Sequence, residues 1–202
     1  MKKINLNLLY FLEFKCDYQL LDEISHLVRN VSYYANAQNQ ASKDKSLYHD
    51  GMIKWFNDCL QEVSKEIYNS TQLLVTQCWA TKSTRLEFQH LHSHPNSIVS
   101  GILYLGENYK GGETRFCVDN PYYKLQNSGM FIIDSYNPRY EYIDITPEYG
   151  KLIIFPSTVL HQTKPIRENK DRYTIAFNSF FNGNLGSEET STYLKLNTSI
   201  LS

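Results

Sequence analysis

The chain has 202 residues and carries 20 Lys+Arg against 21 Asp+Glu, so no global field draws it to nucleic acid or an anionic membrane, and only a local patch could do so. That length fits one domain able to bury a core without staples. Cys16, Cys59, Cys78 and Cys117 are widely spaced with no C-x-x-C pair, which speaks against a thiolate zinc site or a disulfide framework and for reduced thiols in a cytoplasmic protein.

The opening "MKKINLNLLYFLEFKCDYQLL" is interrupted by Asn5, Asn7, Glu13 and Lys15, unlike the apolar run of a signal peptide. No later stretch approaches membrane-spanning length, so no membrane partner is expected. "INLNLLYFLEF" predicts a first strand. Asp17 is placed to cap a helix in which Leu20, Leu21, Ile24, Leu27, Val28 and Val31 recur with helical period. The polar "NAQNQASKDKS" reads as a loop. A second helix is predicted over 48–68, with Met52, Trp55, Phe56, Leu60, Val63 and Ile67 on one stripe.

Beyond it the pattern changes to short runs rich in Val, Ile, Tyr, Phe and Thr between Gly, Pro and Asn turns. They are "QLLVTQCWA", "RLEFQHLH", "SIVSGILYLG", "ETRFCV", "GMFIID", "YEYIDIT", "KLIIFPS" and "RYTIAFNSFF". This predicts a mainly β protein, an antiparallel barrel or jelly roll, with the two N-terminal helices buttressing one outer face. The expected division is a single domain: 1–70 for the first strand and helices, 71–182 for the β core, and 183–202 as a loosely attached tail.

The chemistry-bearing residues cluster in the β core. His90, His92 and His94 stand two apart in "HLHSHPNSIVSG", a spacing that puts side chains on one face of an extended chain. A metal would need a further ligand from a distant strand, and "IIFPSTVLHQTKP" supplies His161. Eleven residues on, Arg172 and Thr174 share a face of the last core strand. An arginine at a core position is costly unless it meets an anion. A structural zinc would want a closing fourth ligand, and none is evident. A pair made of His90 and His92 is geometrically equivalent to His92 and His94, although Pro95 marks His94 as the residue where the strand breaks. "GGET" reads first as a hairpin turn.

Taken together, "HSHPNSIVSGILYL", "GGETRF", "GKLIIFPSTVLH" and "RYTIAFN" resemble the iron(II)- and 2-oxoglutarate-dependent oxygenase superfamily, in a subgroup close to the prolyl hydroxylases, over roughly residues 72–181. The resemblance implies a double-stranded β-helix of the cupin-like kind. It also implies Fe(II) as metal, 2-oxoglutarate and dioxygen as co-substrates, and hydroxylation of a protein side chain, a nucleobase or a small metabolite. His92 and His161 would be ligands and Arg172 would pair with the 5-carboxylate of 2-oxoglutarate. Thr174, Tyr104, Ser100 and Asn178 would line the co-substrate pocket, and His90 and Asn96 the pocket mouth. The chain departs from the common H-x-D/E pattern, because His94 stands where a carboxylate is usual. Either His94 ligates, or Glu113 or Asp119 completes the set. Two other readings remain: a cupin-like metal-binding barrel without oxidative chemistry, such as an isomerase or ligand-binding module, and an interaction module with a degraded site.

Overall fold

The computed structural model describes residues 2–6, 9–36, 38–68, 72–119 and 140–197. In chain order these form strands β1 (Lys2–Leu6) and β2 (Leu9–Lys15), helix α1 (Tyr18–Asn30), strands β3 (Tyr33–Asn36) and β4 (Asn39–Ser42), and helix α2 (Asp50–Tyr68). Strands β5 (Gln72–Ser83), β6 (Val99–Tyr104), β7 (Thr114–Asp119), β8 (Tyr140–Ile145), β9 (Lys151–Pro156), β10 (Leu160–Thr163), β11 (Arg172–Leu185) and β12 (Leu194–Leu196) follow.

Both helices lie where their periodicity puts them. The Asp17 carboxylate accepts from the amides of Gln19 and Leu20 at 2.9 and 3.4 Å, satisfying two of the orphan donors at the start of α1. The apolar stripes bury Leu21, Ile24 and Val28 from α1, and Met52, Phe56, Leu60 and Val63 from α2.

Among the described residues the strands make two sheets. The larger runs β1-β2-β9-β6-β11-β5-β4-β3, with β12 paired to β11; the smaller runs β10-β7-β8. Every strand pair is antiparallel. The helices pack on one face of the large sheet, in a core that includes Ile24, Phe56, Leu60, Leu103, Leu152 and Phe177. The small sheet covers the opposite face, around Phe11, Ile102, Tyr104, Phe116, Ile153 and Phe155. Central strands β6 and β9 are therefore buried on both sides, which explains why their sequences read as continuous apolar runs and not as alternation.

Several expectations are corrected. "INLNLLYFLEF" is not one strand but the β1–β2 hairpin, and β2 joins the large sheet beside β9 through Leu12↔Ile154. The supposed loop "NAQNQASKDKS" contributes β4, which pairs with β5 through Gln40↔Lys82. "RLEFQHLH" makes only the bridges Arg85↔Ile166 and His92↔His161; Leu86, at φ 67°, turns the chain out of extended geometry. The tail prolongs β11 to Leu185 and returns as β12, pairing Gly183↔Leu196. "GMFIID" and the aromatic loops over 120–139 lie outside the described residues.

A candidate metal centre at the barrel mouth

The histidine segment is laid against the turn between β9 and β10 by backbone hydrogen bonds. The His92 amide donates to the His161 carbonyl at 3.0 Å, the His161 amide returns the bond at 2.9 Å, and the His94 amide donates to Ser157 at 2.9 Å. These contacts bring together one ring nitrogen each from His92, His94 and His161, all within 4.8 Å of one another. Among the described residues this is the group suited to a metal, and it contains no carboxylate.

The other ring nitrogen of each imidazole is held by an acceptor. His92 Nδ1 lies 2.7 Å from the His90 carbonyl, His161 Nδ1 3.0 Å from the Val159 carbonyl, and His94 Nδ1 2.6 Å from Asn178 Oδ1. A carbonyl oxygen only accepts, so each Nδ1 carries the proton and each Nε2 presents a lone pair. The Nε2 atoms of His92 and His94 then face each other at 3.2 Å with no hydrogen between them. That arrangement is repulsive until a cation is shared, and fixing a ring by a hydrogen bond at its far nitrogen is how proteins orient imidazole ligands.

Burial reinforces the neutral form. It pushes His161 down to about 3 and His92 down to about 4, with neighbouring imidazoles acting in the same sense, and it also lowers His94. The His161 ring sits among Phe155 and Phe116, with centroids at 4.8 and 5.7 Å. Trp79 lies along His94 at 5.7 Å.

Deeper in the barrel, Arg172 is 3% exposed. Among the described residues its Nε has no hydrogen-bond partner, and Nη2 reaches Thr114 Oγ1 at 3.4 Å. The guanidinium lies over the Tyr104 ring, 5.5 Å from its centroid, and burial lowers its pKa. No carboxylate pairs with it among the described residues. The Tyr104 hydroxyl donates to Thr114 Oγ1 at 2.8 Å. Gly112, at φ +77°, has room for the chain to close over the arginine stem, Arg172 Cδ being 3.4 Å from where a Cβ would stand.

The remaining expected residues separate into three places. Thr174 is buried beside Arg172, its hydroxyl 2.5 Å from that of Thr81. Ser100 and Asn178 lie further along the sheet, behind His94, with Ser100 Oγ donating to Asn178 Oδ1 at 3.0 Å. Glu113 points to the outer recess of the small sheet with Arg115 and Lys164, because Thr114, its neighbour in β7, takes the inward face. The Asp119 side chain lies outside the described residues. A cavity of about 440 Å³ opens beside the histidines, with Tyr34, Lys45, Gln77, Trp79 and Gln89 in its wall. Exposed His90 and Asn96 stand outside that wall; His90 uses its carbonyl on His92, and Asn96 turns at φ 57°. Sequence reasoning misses Thr114, Gln77 and Ser157. The alternation Thr114, Phe116, Val118 in "ETRFCV" is the signal for the first; a bulge hides the second.

A sequence profile described as "Putative 2OG-Fe(II) oxygenase" matches residues 77–178. No curated protein sequence matches the chain. Among solved structures, a 2OG-Fe(II) oxygenase-family oxidoreductase from Burkholderia pseudomallei superposes with TM-score 0.62 at 14% identity, over 84% of this chain and 83% of that one. HygX from Streptomyces hygroscopicus, solved with nickel and 2-oxoglutarate bound, gives 0.60 at 13% identity over 84% and 82%. A Pseudomonas putida prolyl-4-hydroxylase gives 0.59 at 16% over 85% and 91%. These likenesses establish the double-stranded β-helix fold. The profile spans half of the chain, and the three clustered histidines and Arg172 all fall within its limits: the chain belongs to the 2OG-Fe(II) oxygenase family.

Proposed function

We propose that this oxygenase is a hydroxylase in which His92, His94 and His161 hold Fe(II) and Arg172 binds the 5-carboxylate of 2-oxoglutarate. The observation that carries the reading is the pairing of two unmet demands in one barrel: converging imidazole lone pairs and, on the same inner face, a buried guanidinium with no anion among the described residues. A carboxylate at Arg172 would satisfy its free Nε and find Thr114 and Tyr104 alongside.

When bound, iron and 2-oxoglutarate supply the oxidising power: dioxygen is consumed, 2-oxoglutarate becomes succinate and carbon dioxide, and one oxygen atom enters a substrate C–H bond as hydroxyl. The chain's own residues do the rest. The Nδ1 acceptors keep the imidazoles neutral and aimed. Phe155, Phe116 and Ile153 keep the inner face dry. Tyr34, Gln77, Trp79 and Gln89 wall the opening by which a substrate would reach the histidines. The prolyl-4-hydroxylase among the structural neighbours supports hydroxylation as the outcome. We take 1–202 as one domain acting in the cytoplasm. In support, the four cysteines are buried free thiols, and among the described residues no helix is long and apolar enough to cross a membrane.

Succinate release tests the reading. Iron-loaded protein supplied with 2-oxoglutarate in air is expected to form succinate, and His161→Ala to form none. Equal release by the two proteins would contradict it.

A further inference from the structure

The serines of "HPNSIVSG" and "FPS" and the asparagine of "IAFN" are not needed to bind iron or 2-oxoglutarate directly, yet they build one continuous network behind His94. Asn178 is at its centre. In the sheet register it pairs with Gln77 of β5 on one side and Ser100 of β6 on the other. A β-bulge falls immediately after it, between Asn178 and Ser179, and the Asn178 carbonyl accepts from Thr76 Oγ1 at 3.3 Å. Bulges of this kind re-aim side chains beside functional sites.

The carboxamide is clamped at both ends. Oδ1 accepts from His94 Nδ1 at 2.6 Å and from Ser100 Oγ at 3.0 Å, while Nδ2 donates to Gln77 Oε1 at 3.2 Å. Ser157 Oγ lies 2.7 Å from both Ser100 Oγ and Ser97 Oγ; because the Ser100 hydrogen goes to Asn178, the single hydrogen of Ser157 serves one of these two oxygens at a time. Ser97 in turn donates to the Val99 carbonyl at 3.0 Å. Ser100 and Ser157 are fully buried, where hydroxyls must be paired. Both lone pairs of Oδ1 are filled, so rotating the carboxamide would break the bonds to His94, Ser100 and Gln77 together.

Resting on the oxygenase reading, we propose that Asn178, clamped by Gln77, Ser100 and Ser157, is the positioning residue that makes His94 a neutral third metal ligand, so that three imidazoles take the place of the usual two and a carboxylate. Asparagine suits this role because it accepts the Nδ1 proton without bringing a charge. The adjoining serines hold its oxygen, and not its amide nitrogen, toward the imidazole.

Anaerobic titration of the full-length metal-free protein with Co(II), followed by its visible absorption, tests the proposal without turnover. Wild type is expected to bind, and His94→Ala to bind far more weakly with an altered spectrum. Asn178→Ala should weaken Co(II) binding about 10–100-fold, the usual cost of removing a partner behind a ligand. Asn178→Asp, which keeps an acceptor for His94 Nδ1 although it adds a charge and loses the donor to Gln77 Oε1, should recover most of that loss. If Asn178→Ala fails to fold, Ser100→Ala and Asn178→Asp carry the test: the first should measurably weaken Co(II) binding, and the second should stay near wild type. Folded Asn178→Ala or Ser100→Ala with wild-type affinity and spectrum would overturn the positioning role alone. So would a loss in Asn178→Ala that Asn178→Asp fails to repair. Wild-type protein that takes up no Co(II) would overturn the oxygenase reading along with it.

Discussion

A guanidinium sealed in a barrel with no anion beside it weakens the fold that holds it, and Arg172 is in that position among the described residues. Arg172→Met is therefore expected to raise the stability of the metal-free, 2-oxoglutarate-free protein by about 1–3 kcal/mol, measured by urea unfolding. The same variant should lose the stabilisation that 2-oxoglutarate gives the iron-loaded wild type, about 2.7 kcal/mol at a hundredfold excess over the dissociation constant. A destabilised Met variant that still responds to 2-oxoglutarate would contradict this account. Arg172 is legible in the sequence because a cation inside an apolar strand pattern demands an explanation. Thr114 is not, because "GGET" is also a good turn: Gly111 and Gly112 do take positive φ, and the turn signal masks the buried threonine that follows. Asn178 and Ser100 are legible as inward-facing residues but not as partners of His94, since that depends on which neighbouring strand each one meets.

Elements whose two faces are both buried announce themselves, and those defined only by long-range pairing do not. The apolar runs at β6 and β9 are readable from their composition, and the stripes of α1 and α2 from periodicity. Four-residue β10 and polar β4 exist because β7 and β5 offer them a partner, and nothing local says so. The glycine of "VSGILY" has a reason that emerges only in the sheet: Gly101 faces Phe177 across β6 and β11, and a Cβ there would stand 2.3 Å from the phenyl ring. That ring is fully buried and lies 4.7 Å from Phe56 of α2, so it cannot retreat. Gly101→Ala should cost about 1–3 kcal/mol through overpacking and lower the urea midpoint. An unchanged midpoint would show that the helix layer yields more easily than its packing implies.

At the scale of the molecule, helices on one face of a large sheet and a small sheet on the other leave the small sheet as the thinner layer, and an ion cluster ties its outer surface together. Asp144 of β8 receives Arg115 of β7 at 2.8 and 2.9 Å and Lys164 at 2.7 Å, and these cations hold its carboxyl down to about 2, from an ordinary 3.8. A carboxyl depressed by folding adds stability above its unfolded pKa and loses it as pH falls toward the folded value. The contribution, on the order of 1 kcal/mol after allowance for solvent screening, should thus be present at pH 5 and fade between about pH 4 and 2. Unfolding measured across that range should show a shallower acid loss in Asp144→Asn; parallel curves would refute the assignment. The general architecture and the histidine–arginine set are readable in the amino-acid sequence. The makeup of the candidate metal site is not: the sequence leaves it between His94 and two acids, and it is the pairing of β7 that turns Glu113 outward. The central claim, one iron held by the clustered histidines with 2-oxoglutarate anchored at Arg172, is tested most directly by visible absorption of the anaerobic protein during sequential addition of Fe(II) and 2-oxoglutarate. A band that develops at one equivalent of iron only after 2-oxoglutarate is added, and is missing in His92→Ala and His161→Ala, is the predicted result. An iron-loaded wild type that stays colourless on saturation with 2-oxoglutarate would contradict it.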